Sequence, residues 1–308
     1  MYSPITKIRA WFEHRYLWEG TGVASFEDPF THYLPTTDTA RMQAFFRTLR
    51  DENFPSLDAL GDRLEGHCYV CRAPTWFTID ETGGTVNWRE SLRCEHCGLI
   101  NRWRSCLQLF EQLCLPNENS EVFITEAVTP LFDVIQARYA NTTGSEFSPD
   151  AAPGESIEIG GRTVEMQDVT RLTHADSRFD CVLSFDVLEH VPGYEAALEE
   201  FHRVLRPGGM LLLSMPFTFQ QETLVRATLR DDGAVEHHLP PEYHGDPVSE
   251  GGVLCFQSFG MDLLRQLRRH GFGVATACCF ASRYWGYLGE NMLFAARKAP
   301  WKGRRASV

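Results

Sequence analysis

Residues 179–217 read FDCVLSFDVLEHVPGYEAALEEFHRVLRPGGMLLLSMPF. An apolar run from Cys181 to Phe185 ends in Asp186, and a second runs from Met210 to Met215. Between them Tyr194, Ala197, Leu198, Phe201, Val204 and Leu205 recur at helical spacing on one face. Pro207, Gly208 and Gly209 stop that helix. Both flanking runs are almost wholly apolar, as strands covered on two faces are. The stretch is one strand–helix–strand unit. Its polar residues gather at the carboxyl end of the first strand, the edge where open α/β sheets bind ligands.

The neighbouring sequence extends the unit in both directions. Val122–Thr125 reads as a first strand ending at Glu126, and Thr129-Pro130 opens a helix with Thr as cap and Pro at the first helical position. Leu131, Val134, Ile135 and Tyr139 form its apolar stripe. A second strand over 142–145 leads to Glu146, and a third over 164–167 leads to Asp168. A helix over 258–270 and a closing hairpin of 273–281 with 291–297 complete the pattern. The expected fold is α/β: a doubly wound, mostly parallel seven-stranded sheet over residues 106–308, with an insertion at 217–257.

Upstream, the ten cysteines are placed unevenly. Cys68-x-x-Cys71 and Cys94-x-x-Cys97 are matched knuckles separated by 22 residues. Each knuckle sets two thiolates on one turn, and two such turns close a tetrahedral zinc site. Thr75–Asp80 and Thr85–Trp88, with Gly83-Gly84 between, read as a hairpin, so residues 67–105 form a zinc ribbon. Four thiolates leave no open coordination position, so a zinc there is structural; a redox dithiol pair and unligated core cysteines are the competing readings. His67 and His96 adjoin the knuckles as less favoured ligands. Cys106, Cys114, Cys181, Cys255, Cys278 and Cys279 read as small buried apolar residues.

Residues 1–66 form an amino-terminal helical extension, with helices over about 5–18 and 38–50. The segment Lys7–Phe12 reads as a packing face, and the basic tail of Lys298, Lys302, Arg304 and Arg305 as solvated. A net charge of −12 argues against a partner that presents a phosphate backbone. No apolar stretch reaches membrane-spanning length, and no secretory leader opens the sequence. A cytoplasmic location is expected.

The sequence FD, DVLEH, a helix, then LRPGG and an apolar strand resembles class I S-adenosylmethionine-dependent methyltransferases of the type 11 group. The resemblance is specific in the quoted stretch and extends more weakly over residues 120–297. It implies S-adenosylmethionine as cofactor. It also implies that Glu146, after strand two, holds the ribose hydroxyls and that Asp168, after strand three, holds the adenine amino group. Glu126 and Thr129 in the first loop and Asp186 and Val187 at the strand-four turn complete the implied cofactor set. One departure is plain. The family's acidic-x-Gly-x-Gly-x-Gly loop is replaced here by Glu126-Ala127-Val128-Thr129-Pro130-Leu131-Phe132, with no glycine. The cofactor's methionine part would then be gripped by Thr125, Thr129 and the helix N-terminus.

A hydroxyl nucleophile needs its proton removed by a positioned base. The insertion offers His238 and His244, and the strand-four turn offers His190 beside Asp186 and Glu189. His237, His238, His244 and Asp246 crowd the insertion, yet no spacing among them specifies a metal site. The expected reaction is O-methylation of a carbohydrate or another small-molecule acceptor. Two other readings stand beside it: an RNA or protein methyltransferase that uses the ribbon for recognition, and a non-catalytic interaction protein that retains the fold.

Overall fold

The structure, a computed structural model, describes residues 24–25, 31–53, 61–82, 85–245 and 251–300. The helix expected over 5–18, the Lys7–Phe12 face, the Gly83-Gly84 turn, Asp246 and the tail residues Lys302, Arg304 and Arg305 lie outside them. The chain divides into two compact units, Met1–Pro116 with Ala277–Leu293 and Asn117–Thr276 with Phe294–Val308.

In the first unit, β1 (Ala24–Ser25) pairs antiparallel with β2 (Thr31–Thr36). Helix α1 (Thr39–Asn53) follows, its first turn capped by Asp38 Oδ1, which accepts from the Ala40 and Arg41 amides. Met42, Phe45, Phe46 and Leu49 recur on its buried face. The ribbon comprises β3 (Arg63–Cys68), β4 (Ala73–Thr78), β5 (Glu81–Thr82), β6 (Thr85–Val86) and β7 (Arg93–Cys94). Its main sheet runs β3–β4–β7, with β5–β6 a separate short pair. The strand partner of Thr75–Thr78 is therefore the segment before the first knuckle, not Thr85–Trp88. Burial explains the choice: Leu64 on β3, Phe77 on β4 and Leu92 pack into one core with Cys68 and Cys94. Helix α2 (Asn101–Cys114) completes this part.

The second unit begins with β8 (Val122–Ile124), α3 (Pro130–Arg138) and β9 (Thr142–Glu146). β10 (Ser156–Ile159) and β11 (Arg162–Met166) come next. β12 (Phe179–Phe185) leads through a 3-10 turn at Leu188–His190 to α4 (Tyr194–Val204) and β13 (Leu205–Ser214). The insertion folds into short antiparallel pairs among β14 (Leu224–Val225), β15 (Ala227–Leu229), β16 (Val235–His237), β17 (Tyr243–His244), β18 (Val253–Leu254) and β19 (Gln257–Ser258). Then come α5 (Asp262–Arg269), β20 (Phe272–Ser282) and β21 (Tyr287–Lys298). Both last strands contribute residues to each unit, and in the first unit β20 pairs with β2.

The sheet order in the second unit is β20–β21–β13–β12–β8–β9–β11–β10. β8, β9, β11, β12 and β13 run parallel, and β21 runs antiparallel to β13. The order reverses at β8, which carries the first loop, so the crevice expected of a doubly wound sheet opens there. β10 was not legible as a strand. It pairs with β11 across Gly160-Gly161, whose φ values of 58° and 77° suit a two-residue hairpin turn. Helix α4 ends at Val204, before Pro207, because the residue preceding a proline is driven toward extended backbone.

Candidate active site

The carboxyl ends of the parallel strands carry the acids the sequence singled out. Glu146, at the end of β9, uses Oε1 to accept from the amides of Ala127 and Val128 at 2.7 and 3.1 Å. The glycine-free first loop is thereby tied to the second strand. Gly144 permits the approach: a Cβ there would lie 2.7 Å from the Glu126 carbonyl oxygen and collide with the Phe132 ring. The amides of Ala127 and Val128 are thus committed to Glu146. Glu126 is buried in this loop. Thr129 caps α3, its Oγ1 accepting from the Phe132 amide at 3.2 Å. Thr125 Oγ1 donates to Ser184 Oγ, which stitches the ends of β8 and β12.

Asp168, just beyond β11, accepts at Oδ1 from the Thr170 amide and hydroxyl and at Oδ2 from Arg171 Nε. Burial pushes its carboxyl up, but the bonds from Thr170 and Arg171 outweigh that and hold it below the usual carboxylate value. Asp186 sits in the left-handed region at φ 54°, a strained position for a residue with a side chain. Its amide donates to the Ser214 carbonyl and its Oδ1 accepts from Ser214 Oγ at 3.0 Å, which joins the ends of β12 and β13. Val187 is half-buried beside it, its carbonyl accepting from the His190 amide. Each carboxylate oxygen has more than one acceptor direction, so Glu146 and Asp168 can accept further donors.

Beyond Asp186 the turn and the insertion meet. His190 Nδ1 lies 2.9 Å from the Leu254 carbonyl and 3.9 Å from Cys255 Sγ. The His190 and His244 rings meet edge to face, with centroids 5.1 Å apart. Glu189, 1% exposed, points Oε1 at His190 Nε2 (3.8 Å) and at His244 Nδ1 (3.6 Å). His244 Nε2 faces Glu242 Oε1 at 3.3 Å. The frame is held by the Phe256 amide donating to the Glu189 carbonyl and by Gln257 Nε2 donating to the carbonyls of Leu188 and Val191.

Electrostatically the group is tightly linked. Burial pushes the Glu189 carboxyl up. Cys255 and then Glu189 push His244 up to about 10. Burial lowers His190, but Cys255 and Glu189 outweigh it and leave the imidazole raised. Burial raises Cys255, yet its two histidine neighbours bring the thiol below its ordinary value.

The structure thus brings His190 and His244 together. It places His238 on the exposed hairpin, where Nε2 lies 3.1 Å from Thr228 Oγ1. Cys255, read from sequence as apolar filler, is buried but stands against an imidazole. It lies 65 positions from His190, and no local spacing marked it.

The first unit holds the other candidate centre. Cys68, Cys71, Cys94 and Cys97 offer sulfurs within 4.8 Å of one another. Cys68–Cys97 and Cys71–Cys94 are separated by 3.8 and 3.9 Å. Tetrahedral zinc with bonds of about 2.3 Å requires sulfur–sulfur edges of roughly 3.8 Å, so the four residues fit the ion. Without a cation the thiols oppose one another. Hydrogen bonds from Cys68 and Cys97 hold Cys94 far below its ordinary value, and Cys68 and Cys94 push Cys97 far up. His67 is not in this group; it stacks on Tyr284.

The strand order, the strand-end acids and the crevice at β8 define a class I methyltransferase-type domain. Residues 127–213 match the family described as a methyltransferase domain. An uncharacterised 37.1 kDa protein of transposon TN4556 from Streptomyces fradiae is 33% identical over 153 residues, covering 50% of this chain and 40% of that protein. The ubiquinone/menaquinone biosynthesis C-methyltransferase of Bdellovibrio bacteriovorus is 41% identical over 76 residues, 23% of this chain and 32% of the relative. The chain therefore spans well under two thirds of either relative. Among solved structures, an S-adenosylmethionine-dependent methyltransferase from Mesorhizobium loti is similar at 17% identity and a TM-score of 0.42, over 66% of this chain and 100% of that one. Burkholderia thailandensis 1,6-didemethyltoxoflavin-N1-methyltransferase, solved with 1,6-didemethyltoxoflavin and S-adenosylhomocysteine, is similar at 16% identity and 0.42, over 64% and 78%.

Proposed function

We propose that the chain is an S-adenosylmethionine-dependent methyltransferase that methylates a hydroxyl of a carbohydrate or another small molecule, and that its ribbon carries one structural zinc. The observation that carries this reading is the row of Glu146, Asp168 and Asp186 along one edge of a parallel sheet whose sequence matches the methyltransferase family. Glu146 and Asp168 would take the ribose hydroxyls and the adenine amino group, with Glu126, Thr129 and Val187 around them. When bound, the cofactor supplies a methyl group on a positively charged sulfur. The chain must then orient the acceptor, exclude water and take up the hydroxyl's proton. His190, His244 and Glu189 form the cluster for that task, while His238 lies on the exposed hairpin with Nε2 3.1 Å from Thr228 Oγ1. The net charge of −12 supports a small acceptor over RNA. Cys68, Cys71, Cys94 and Cys97 would hold the zinc.

Calorimetric titration with S-adenosylmethionine tests the reading. The wild-type chain should bind, and Glu146→Ala should weaken binding by about 1.5–3 kcal/mol, the range for hydrogen bonds to a charged group. Asp168→Ala should do likewise, by less if stacking carries the adenine. Absence of binding in the wild type would favour the non-catalytic reading, and salt-dependent RNA binding would favour a nucleic-acid acceptor.

A further inference from the structure

The cluster at the strand-four turn gathers two imidazoles, a thiol and a buried carboxylate. A carbonyl only accepts, so His190 Nδ1 carries its proton toward the Leu254 oxygen at 2.9 Å. Glu242 Oε1 lies 3.3 Å from His244 Nε2. His190 Nε2 and His244 Nδ1 both face Glu189 Oε1, at 3.8 and 3.6 Å. Two imidazole nitrogens thus converge on one buried carboxylate oxygen. Among the described residues no group lies within hydrogen-bond distance of either Glu189 oxygen, although the side chain is 1% exposed. A buried carboxylate in that condition costs several kcal/mol unless a cation meets it. Cys255 Sγ lies 3.9 Å from His190 Nδ1, and one donor atom each from His190, His244 and Cys255 lies within 4.8 Å of the others.

We infer that His190, His244 and Cys255 bind a divalent transition-metal ion of the zinc class, with Glu189 as the second negative charge. Two imidazoles and one thiolate are the donor set that borderline-soft ions prefer over calcium or magnesium, which take oxygen. Thiolate and carboxylate together balance a charge of two. The outer partners are those a metal-bound histidine needs: the Leu254 carbonyl and the Glu242 carboxylate fix the ring orientations. The site is reachable, since the His190 and His244 side chains are 15% and 26% exposed. Three protein donors leave a coordination position open, unlike the four thiolates of the ribbon. In the methyltransferase reading that position would receive the acceptor's oxygen, and Glu189 would take up the proton that the hydroxyl releases. Only this last step rests on that reading; metal binding does not.

Untagged full-length protein saturated with Zn²⁺ and desalted should carry about two equivalents, one in each centre. Cys255→Ser and His244→Gln should each remove one equivalent and leave the ribbon's in place. Glu189→Gln should weaken the second equivalent by roughly 10–100-fold, as loss of a supporting carboxylate does. With Co²⁺, the second equivalent should add visible bands that Cys255→Ser abolishes. Should these variants fail to fold, zinc-edge X-ray absorption of the wild type decides, because the ribbon alone gives a pure sulfur shell and both sites together give a mixed nitrogen and sulfur shell. One equivalent at saturation, with a pure sulfur shell, would overturn the inference and leave His244 and Glu189 as an imidazolium–carboxylate pair. Calorimetry with S-adenosylmethionine on the same samples separates the two readings: a second metal without cofactor binding sinks methyl transfer alone, and cofactor binding without the metal sinks the site alone.

Discussion

The ribbon and the strand-four turn each gather metal-binding side chains, and they do so in opposite ways. In the ribbon, four identical donors sit on two tight turns with sulfurs about 3.8 Å apart, inside a core of Leu64, Phe77, Leu92 and Leu288. A buried cation stands close by. Arg104 is 0% exposed and donates to the carbonyls of Leu99, Trp285, Leu92 and Gly286, with its guanidinium 4.0 Å from the Phe77 ring centroid. No carboxylate is among those partners. At the strand-four turn the donors differ in type, come from two separate parts of the chain, and include a buried carboxylate without a hydrogen bond. A closed set of like ligands suits holding a fold, and a mixed set with partial access suits holding something that changes.

The largest expected effect breaks the comparison outright if it fails. Cys94→Ser should release one zinc and unfold the ribbon, because metal binding and folding are the same free energy in such a module. Apparent binding energies of structural zinc reach roughly 10 kcal/mol, far above the worth of one side chain. Cys255→Ser should leave the melting of the ribbon nearly unchanged. Zinc content together with thermal unfolding of both variants checks this, and equal destabilisation by the two would erase the distinction drawn between the centres.

A smaller effect sharpens the role of the buried arginine. Removing Arg104 leaves four carbonyls without their donor, and each buried acceptor so orphaned costs about 1–3 kcal/mol. Arg104→Leu should therefore lower stability in urea by at least about 3 kcal/mol. A purely structural arginine predicts unchanged zinc affinity in whatever fraction folds. An arginine that offsets thiolate charge predicts a loss of about tenfold or more, with Arg104→Lys recovering most of it. Competition with a chromophoric chelator distinguishes the two.

The same contrast explains what the sequence revealed. Cys-x-x-Cys fixes its own geometry, since both donors lie on one turn, and the ribbon was legible from spacing alone. So were the parallel strands and the acids at their ends, because apolar runs and strand-end position are local properties. The partner of β4 was misread, since hairpin glycines at 83–84 outweighed the tertiary burial of Leu64 against Phe77. β10 was passed over although Gly160-Gly161 marked its turn. The first loop could be seen to lack glycine, but not that its amides would bind Glu146, which is a contact across 18 and 19 positions. Cys255 and Glu189 were beyond reach for the same reason: their chemistry arises only when the insertion folds back on the strand-four turn.

The smallest prediction uses a third buried imidazole as the counterexample to both centres. His174 is enclosed edge-on by Phe123 and Phe179, and its Nδ1 accepts from Arg178 at 3.0 Å. Glu165 lies 4.0 Å away, too far for a hydrogen bond. Burial lowers its pKa from the ordinary 6.5, with Glu165 opposing and Arg178 and Arg203 reinforcing the shift. A histidine whose pKa is depressed by folding favours the native state only where it is neutral. Its contribution is therefore complete above about pH 6.5, the unfolded value, and is lost as the pH falls through the lower, folded value. Urea midpoints of the wild type and His174→Gln at about pH 7.5 and about pH 5.5 isolate this part, since other acid-labile groups cancel in the double difference. The wild type should lose more stability on acidification than the variant. Parallel losses would mean that the ring stays neutral in both states or protonates equally in both, and that burial among aromatic rings does not by itself set an imidazole apart from one that faces a carboxylate and a thiol.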